Sequence, residues 1–161
     1  MFQPREIVYG LVSGMGFMKP KPKYLITLYR DDNFEIVACF TTSQPYCGVS
    51  EEQIRHGAII RNGNYHSYVF EKGIHIGINP ETGAEFAFPA RTTVTFDYGI
   101  RQGFIGMFKE GMKDARTVCI LSKKEFGDLL YAMYKSPNLE RKYKPYLEKS
   151  LQALFEDEES L

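Results

Sequence analysis

The chain is predicted to be of the mainly β or α+β class, as a small, strongly curved antiparallel sheet or barrel with helices at one side. Short runs of β-branched and aromatic residues, separated by turn formers, extend up to Leu121, and helical periodicity dominates only after them. These runs show no strand–helix alternation and contain no GxGxxG or Walker sequence, which disfavours a doubly wound parallel sheet.

The first predicted strands lie before Gln44. The run from Glu6 to Val12 is one strand, and the glycines of SGMG end it. The MKPKPK sequence that follows should be extended rather than helical, because proline fixes φ and lacks a backbone donor. YLITLY and FEIVACFTT are β-type runs on either side of the turn former RDDN, which predicts a β-hairpin.

Shorter elements are predicted in the middle of the chain. VSEEQIRHG fits a capped helical turn, in which Ser50 is followed by Glu52 and Gln53. HSYVFEKGIHIGI contains two β runs around EKG, NPETG is a turn before AEFAF, and RTTVTFDYGI is a β run that ends near Asp97. The glycine-rich RQGFIGMFKEGMKD is predicted to be a loop.

The C-terminal part is predicted to be helical after a strand at ARTVCIL. Ser122 and Glu125 match the capping box at the start of SKKEFGDLLYAMYK. A second helix is predicted from about Leu139 or Pro145 to Phe155. We therefore expect one globular domain over residues 1–155 and an acidic tail over residues 156–161. The apolar stripe of the first helix is predicted to pack in the core and consists of Phe126, Leu129, Leu130 and Met133.

The charges are unevenly distributed along the chain. Its 20 basic and 20 acidic residues balance, but four of the acidic residues stand together as EDEE, from Glu156 to Glu159. The rest of the chain therefore has 20 basic and 16 acidic residues. Such a surface permits contact with phosphates, and an ordinary mixed surface with a solubilising tail is the alternative.

Cysteine and histidine usage predicts neither a metal site nor a cofactor. The cysteines have no CxxC spacing, and Cys39 and Cys119 lie inside apolar runs, which predicts buried reduced thiols, with a catalytic cysteine as the alternative. The histidines stand alone without ligand spacing. GxSxG and SxxK, which would indicate a nucleophilic serine, are also missing from the sequence. The residues concerned are Cys39, Cys47, Cys119, His56, His66 and His75.

The predicted location is the cytoplasm, without a membrane partner. The N-terminal MFQPREIVYG has an early proline and charges where a signal peptide needs an apolar segment. The apolar runs elsewhere are too short to span a bilayer.

The stretch from Lys19 to Gln44 combines cations with hydroxyl groups. If its two β runs pair through RDDN, Lys23 lies beside Thr41 and Thr42. A cation beside hydroxyls suits a phosphodiester whose charge increases in the transition state, and tyrosines could stack on unpaired RNA bases. A solvated lysine loop with a structural strand end is the alternative. Further candidates for RNA contact are Lys19, Lys21, Ser43, Tyr24, Tyr46 and Tyr65.

These segments, in this order, resemble the MazF/PemK family of toxin endoribonucleases from type II toxin–antitoxin modules. REIVYGLV is similar to the family's first strand, PKYLITLY to its second, and VACFTTSQ to the strand that ends in Thr or Ser. TTVTFDYGIRQ resembles the later segment in which an acidic and a basic residue follow an apolar strand. With the helix after CIL, the likeness covers Glu6 to Met133.

The resemblance implies an SH3-like barrel that dimerises, cleaves single-stranded RNA without a metal and is bound by an antitoxin protein. The family's catalytic arginine matches Lys23, and its Thr or Ser matches Thr41 or Thr42. Asp97 and Arg101 are further candidates for RNA contacts or dimer pairing. Because an ammonium lacks the bidentate fork of a guanidinium, a non-catalytic barrel that binds nucleic acid or protein is the alternative.

Overall fold

A computed structural model describes residues 1–44 and 49–159 of the chain. Tyr46 and Cys47, both singled out in the sequence, lie outside these ranges. The described strands are β1 (Glu6–Gly14), β2 (Phe17–Arg30), β3 (Glu35–Phe40), β4 (Gly57–Arg61), β5 (Asn64–Phe70), β6 (Gly77–Ile78), β7 (Glu85–Phe86), β8 (Thr92–Thr95), β9 (Ile100–Phe104) and β10 (Met112–Leu121). The helices are α1 (Ile105–Gly111), α2 (Lys123–Lys135) and α3 (Lys144–Glu159), with short 3-10 helices at Glu51–Gln53 and Arg141–Tyr143.

The strands form two antiparallel sheets. The larger has the order β7-β6-β10-β1-β2-β3-β9, and the smaller has the order β4-β5-β8. An isolated backbone bridge between Thr42 and Thr93 connects the end of β3 to β8. A mainly antiparallel β fold with C-terminal helices is therefore confirmed. Within the described ranges neither sheet closes on itself, so the predicted SH3-like barrel is not confirmed.

The predicted hairpin of β2 and β3 is present, with Leu25 opposite Phe40 and Arg30 opposite Ile36. The proline segment before it is extended as predicted, but it belongs to β2, where Pro22 pairs with Leu11 of β1. Strand β3 begins to pair with β2 only at Leu25, so no strand pairs with the other side of the proline segment. Prolines are tolerated there because that side needs no backbone N–H for strand pairing.

Helix α2 begins as predicted, since the Ser122 side chain accepts a hydrogen bond from the Glu125 backbone N–H at 3.1 Å. Helix α3 packs beside it, and the Ser150 hydroxyl donates to the Leu28 carbonyl at 2.6 Å. The described helix continues to Glu159, beyond the predicted end at Phe155. The predicted apolar stripe of α2 is buried in the main core, at Phe126, Leu129, Leu130 and Met133.

Two segments differ from their predictions. RQGFIGMFKEGMKD is not a loop, because it contains the end of β9, the whole of α1 and the start of β10. Helix α1 forms because Phe108 is completely buried beside Phe2, with ring centroids 5.8 Å apart. Strand β4, which pairs with β5, was not predicted as a strand. None of the described helices is both long and apolar enough to cross a membrane.

Candidate nucleic-acid interface

The pairing of β2 with β3 brings Lys23 next to Thr41. Beyond the last ladder pair, the Thr41 backbone N–H donates to the Tyr24 carbonyl at 3.1 Å. The Lys23 ammonium in turn donates to the Thr41 backbone carbonyl at 3.4 Å. The predicted meeting of these two strand ends is therefore present in the structure.

Lys23 and Thr41 line a cleft of about 200 Å³, named here the Lys23 cleft. Ser43 and Arg91 also line this cleft. The remaining lining residues are Tyr9, Pro22, Tyr24, Pro89, Ala90 and Thr92. The cleft therefore combines two cations, hydroxyl groups and two tyrosines.

A second cleft of about 510 Å³, named here the Arg116 cleft, adjoins the first. Both clefts are lined by Tyr9, Tyr24 and Pro89. The two clefts therefore adjoin at these residues, with Lys23 lining one and Arg116 the other, and they are together named the groove. The other residues of the Arg116 cleft are Asn79, Glu81, Thr82, Phe86, Thr117 and Val118.

The two tyrosines shared by the clefts are directly opposite each other in the β1–β2 ladder. The ring centroids of Tyr9 and Tyr24 are 4.6 Å apart, and the Phe88 ring meets Tyr24 edge-on at 4.9 Å. Both tyrosines are only partly buried. Packing therefore fixes these rings while part of each remains accessible to a ligand.

The environment of Lys23 favours an anionic ligand. Burial, and then repulsion by Lys21, lower the pKa of Lys23 below its ordinary value. Its ammonium lies 5.6 Å from the centroid of the Phe17 ring. No carboxylate in the described part of the chain forms an ion pair with Lys23, so its charge is not neutralised within the protein. Burial also raises the pKa of Tyr24, which keeps its hydroxyl protonated.

Thr42 does not line the Lys23 cleft, although it was predicted as a catalytic alternative to Thr41. Its backbone N–H donates to the Thr93 carbonyl at 2.8 Å and its carbonyl accepts from the Thr93 N–H at 2.9 Å. Its hydroxyl accepts from the Gln44 backbone N–H at 3.2 Å. Thr42 therefore joins the two sheets.

The other predicted contact residues are spread over the surface. Lys19 and Lys21 are exposed on the part of β2 that extends beyond β3. Asp97 and Arg101 line a different cleft, of about 190 Å³. The Arg101 guanidinium donates to the Met15 carbonyl at 2.8 Å, which holds the turn between β1 and β2. Tyr65 also lies elsewhere, edge-on to Tyr131 with centroids 6.0 Å apart.

Sequence reasoning missed Tyr9, Arg91 and Arg116 as residues of the groove. Tyr9 could be found only from the register of β1 with β2, in which it faces Tyr24. Arg91 precedes β8 and Arg116 lies in β10, and no local motif marks either residue. Distant parts of the chain contribute all three.

A separate polar network lies where α2 meets the smaller sheet. His56 Nε2 donates to Glu125 at 2.6 Å, the Tyr68 hydroxyl donates to the same oxygen at 2.8 Å, and His56 Nδ1 accepts from the Glu71 backbone N–H at 3.1 Å. Burial opposes ionisation of Glu125, but the hydrogen bonds from His56 and Tyr68 outweigh it and lower the pKa of Glu125. Across residues 1–44 and 49–159, no three His, Cys, Asp or Glu side chains are grouped to hold a metal ion.

Comparison of the chain with protein-family models, with curated proteins and with solved structures finds no match. The resemblance to the MazF/PemK family therefore stays a prediction from the sequence. The groove formed by the Lys23 and Arg116 clefts is the feature on which a function can be argued.

Proposed function

We propose that the protein is an endoribonuclease that binds single-stranded RNA in the groove and cleaves it at the Lys23 cleft. One observation carries the proposal: the Lys23 ammonium, without a carboxylate partner among the described residues, lies beside Thr41 and Ser43 in a groove walled by Tyr9 and Tyr24. Cations that follow a backbone and aromatic rings on which bases stack are the usual features of single-strand binding.

Cleavage requires few groups from the protein because RNA carries its own nucleophile. The 2′-hydroxyl loses its proton to solvent water as it attacks the adjacent phosphorus, and the 5′-oxygen leaves with a proton from Lys23, which gives a 2′,3′-cyclic phosphate and a 5′-hydroxyl. Lys23 stabilises the negative charge on the phosphoryl oxygens, and its lowered pKa makes the ammonium a better proton donor to the leaving oxygen. The hydroxyls of Thr41 and Ser43 orient the phosphate.

The remaining parts of the proposal come from the family resemblance. They are an SH3-like arrangement of the two sheets, a homodimer, and an antitoxin protein that covers the groove. The Thr42–Thr93 bridge supports the first of these, since it joins the sheets beside the cleft.

The test is cleavage of a single-stranded RNA in the presence of EDTA. We expect the wild type to give fragments with 2′,3′-cyclic phosphate ends. Lys23→Ala and Thr41→Val should lose about a hundredfold in rate, the lower end of the range for loss of a group that stabilises transition-state charge or transfers a proton. Thr42→Val is the matched control, because Thr42 lies outside the cleft. Equal loss in Thr41→Val and Thr42→Val would contradict the assignment of Thr41.

Binding without cleavage is the second candidate function. It is favoured by the hydrogen bond that already engages the Lys23 ammonium and by the lack of a guanidinium at this position. RNA that is bound in a manner sensitive to Lys23→Ala, but not cut, would support this candidate over the nuclease.

A further inference from the structure

Arg91 forms part of the Lys23 cleft and is engaged by two carboxylates. Its Nε donates to both carboxylate oxygens of Glu71, at 3.1 Å and 3.0 Å, and its Nη2 forms an ion pair with Oε2 at 2.9 Å. Its Nη1 donates to Glu51 at 2.7 Å. These hydrogen bonds use two of the five N–H groups of the guanidinium, one on Nε and one on Nη1.

The two carboxylates differ in how firmly they are fixed. Glu71 has a side-chain exposure of 28%, and its backbone N–H is tied to His56 of the network beside α2. Glu51 has a side-chain exposure of 71% and belongs to a 3-10 helix of three residues. Glu71 therefore holds Arg91 in place, whereas Glu51 can move away at little cost.

We propose that Arg91 is a second phosphate-binding cation of the Lys23 cleft, and that Glu51 occupies, in the free protein, the position that a phosphate oxygen takes when RNA binds. The inference rests on the proposed function, because it assigns an RNA contact in the same groove. A phosphate oxygen that replaces Glu51 keeps the hydrogen bond to Nη1, and the Glu71 pair is undisturbed. The cleft, which has an ammonium at position 23, then gains a guanidinium donor, Nη1 of Arg91, from the residue that precedes β8.

The test measures the affinity for a 2′-O-methyl RNA strand, which cannot be cleaved, by fluorescence anisotropy. Removal of the competing carboxylate in Glu51→Gln should tighten binding about two- to fivefold, since an exposed ion pair is worth no more than this. Glu52→Gln is the matched control, because Glu52 is the neighbouring exposed acid and carries the same charge. We expect Glu52→Gln to bind like the wild type.

A double-mutant cycle separates a contact through Arg91 from a general charge effect. In an Arg91→Gln background, Glu51→Gln should no longer change the affinity. Equal tightening by Glu51→Gln and Glu52→Gln, or a Glu51 effect that persists without Arg91, would overturn the inference. The comparison of the two glutamates does not require a folded Arg91 variant.

Failure of the proposed function gives a different result. If the wild type does not bind the strand, or if Lys23→Ala binds it equally well, the groove is not an RNA site and both proposals fall. If Lys23→Ala weakens binding while Glu51→Gln has no effect, the proposed function stands and only the role of Arg91 and Glu51 is lost.

Discussion

Lys23 differs from the other lysines of β2 in its surroundings. Lys19 and Lys21 are exposed, whereas Lys23 is partly buried, and its ammonium contacts the Thr41 carbonyl and the Phe17 ring. Partial loss of hydration strengthens the attraction between a cation and a phosphate, because the charges are less screened by solvent. The same loss of hydration lowers the pKa of Lys23, so its charge disappears at a lower pH than that of a solvated lysine.

This shift predicts how RNA affinity depends on pH. The affinity contributed by Lys23 should be complete below its lowered pKa and should be lost as the pH rises through it, in a range where ordinary lysines are still charged. Binding of a 2′-O-methyl oligoadenylate can be followed by anisotropy into this range. Lys23→Arg should remove the decline, since a guanidinium stays protonated. A decline that persisted unchanged in Lys23→Arg would assign the titration to another group.

The residues of the groove differ in how far the sequence could predict them. Lys23 lies just before the first residue of β2 that pairs with β3, and Thr41 just after the last residue of β3, so both are at the open end of one hairpin. A turn at RDDN is therefore enough to bring them together. Tyr9 and Arg91 reach the same cleft from β1 and from the chain before β8. Their positions depend on strand registers and on sheet order, which local patterns do not determine.

At the scale of the elements, α1 illustrates a limit of glycine as a turn signal. The three glycines at 103, 106 and 111 led to the prediction of a loop. In the structure, a Cβ at Gly103 would lie 2.7 Å from a Met107 side-chain carbon, and one at Gly111 would meet the Met15 side chain. Both contacts are with the flexible end of a methionine side chain, and neither glycine has a positive φ. The two glycines therefore lie in regular structure without a turn that requires them, which the sequence alone cannot distinguish from a loop.

Helix α1 should be an integral part of the fold, anchored by Phe108. We expect Phe108→Ala to lower the free energy of unfolding by about 3–5 kcal/mol, because this ring is completely buried and its loss leaves a cavity. Met107→Ala, on the same helix with 36% exposure, should cost less than about 1 kcal/mol. Urea unfolding of both variants measures the difference. Similar small losses in both would indicate that α1 does not pack as described.

At the scale of the whole molecule, the Lys23 cleft depends on the fit between the two sheets. Lys23 and Thr41 come from the larger sheet, while Arg91 and Thr92 lie at the start of β8 in the smaller one. The backbone bridge between Thr42 and Thr93 joins the sheets beside the cleft. The network of His56, Tyr68 and Glu125 attaches α2 to the smaller sheet. The hydrogen bond from the Glu71 backbone N–H to His56 connects this network to the residue whose carboxylate holds Arg91.

The Glu125 network should make the stability of the whole fold depend on pH. The folded-state pKa of Glu125 is lowered, so its stabilising contribution is present above the unfolded-state pKa and is lost as the pH falls through the folded value. We expect Glu125→Gln to lower the free energy of unfolding by about 1–2 kcal/mol at neutral pH, because charge-assisted hydrogen bonds become neutral ones.

The difference in the free energy of unfolding between Glu125→Gln and the wild type should shrink as Glu125 becomes protonated, and it should vanish below the folded-state pKa of Glu125. Asp128→Asn is the control on the same helix, since the Asp128 pair with Lys124 is exposed and should contribute little to stability at any pH. Urea unfolding at a series of pH values tests both variants. If Glu125→Gln were equally destabilising at every pH, the shape of the side chain and not its charge would hold α2 to the smaller sheet, because only the charge titrates.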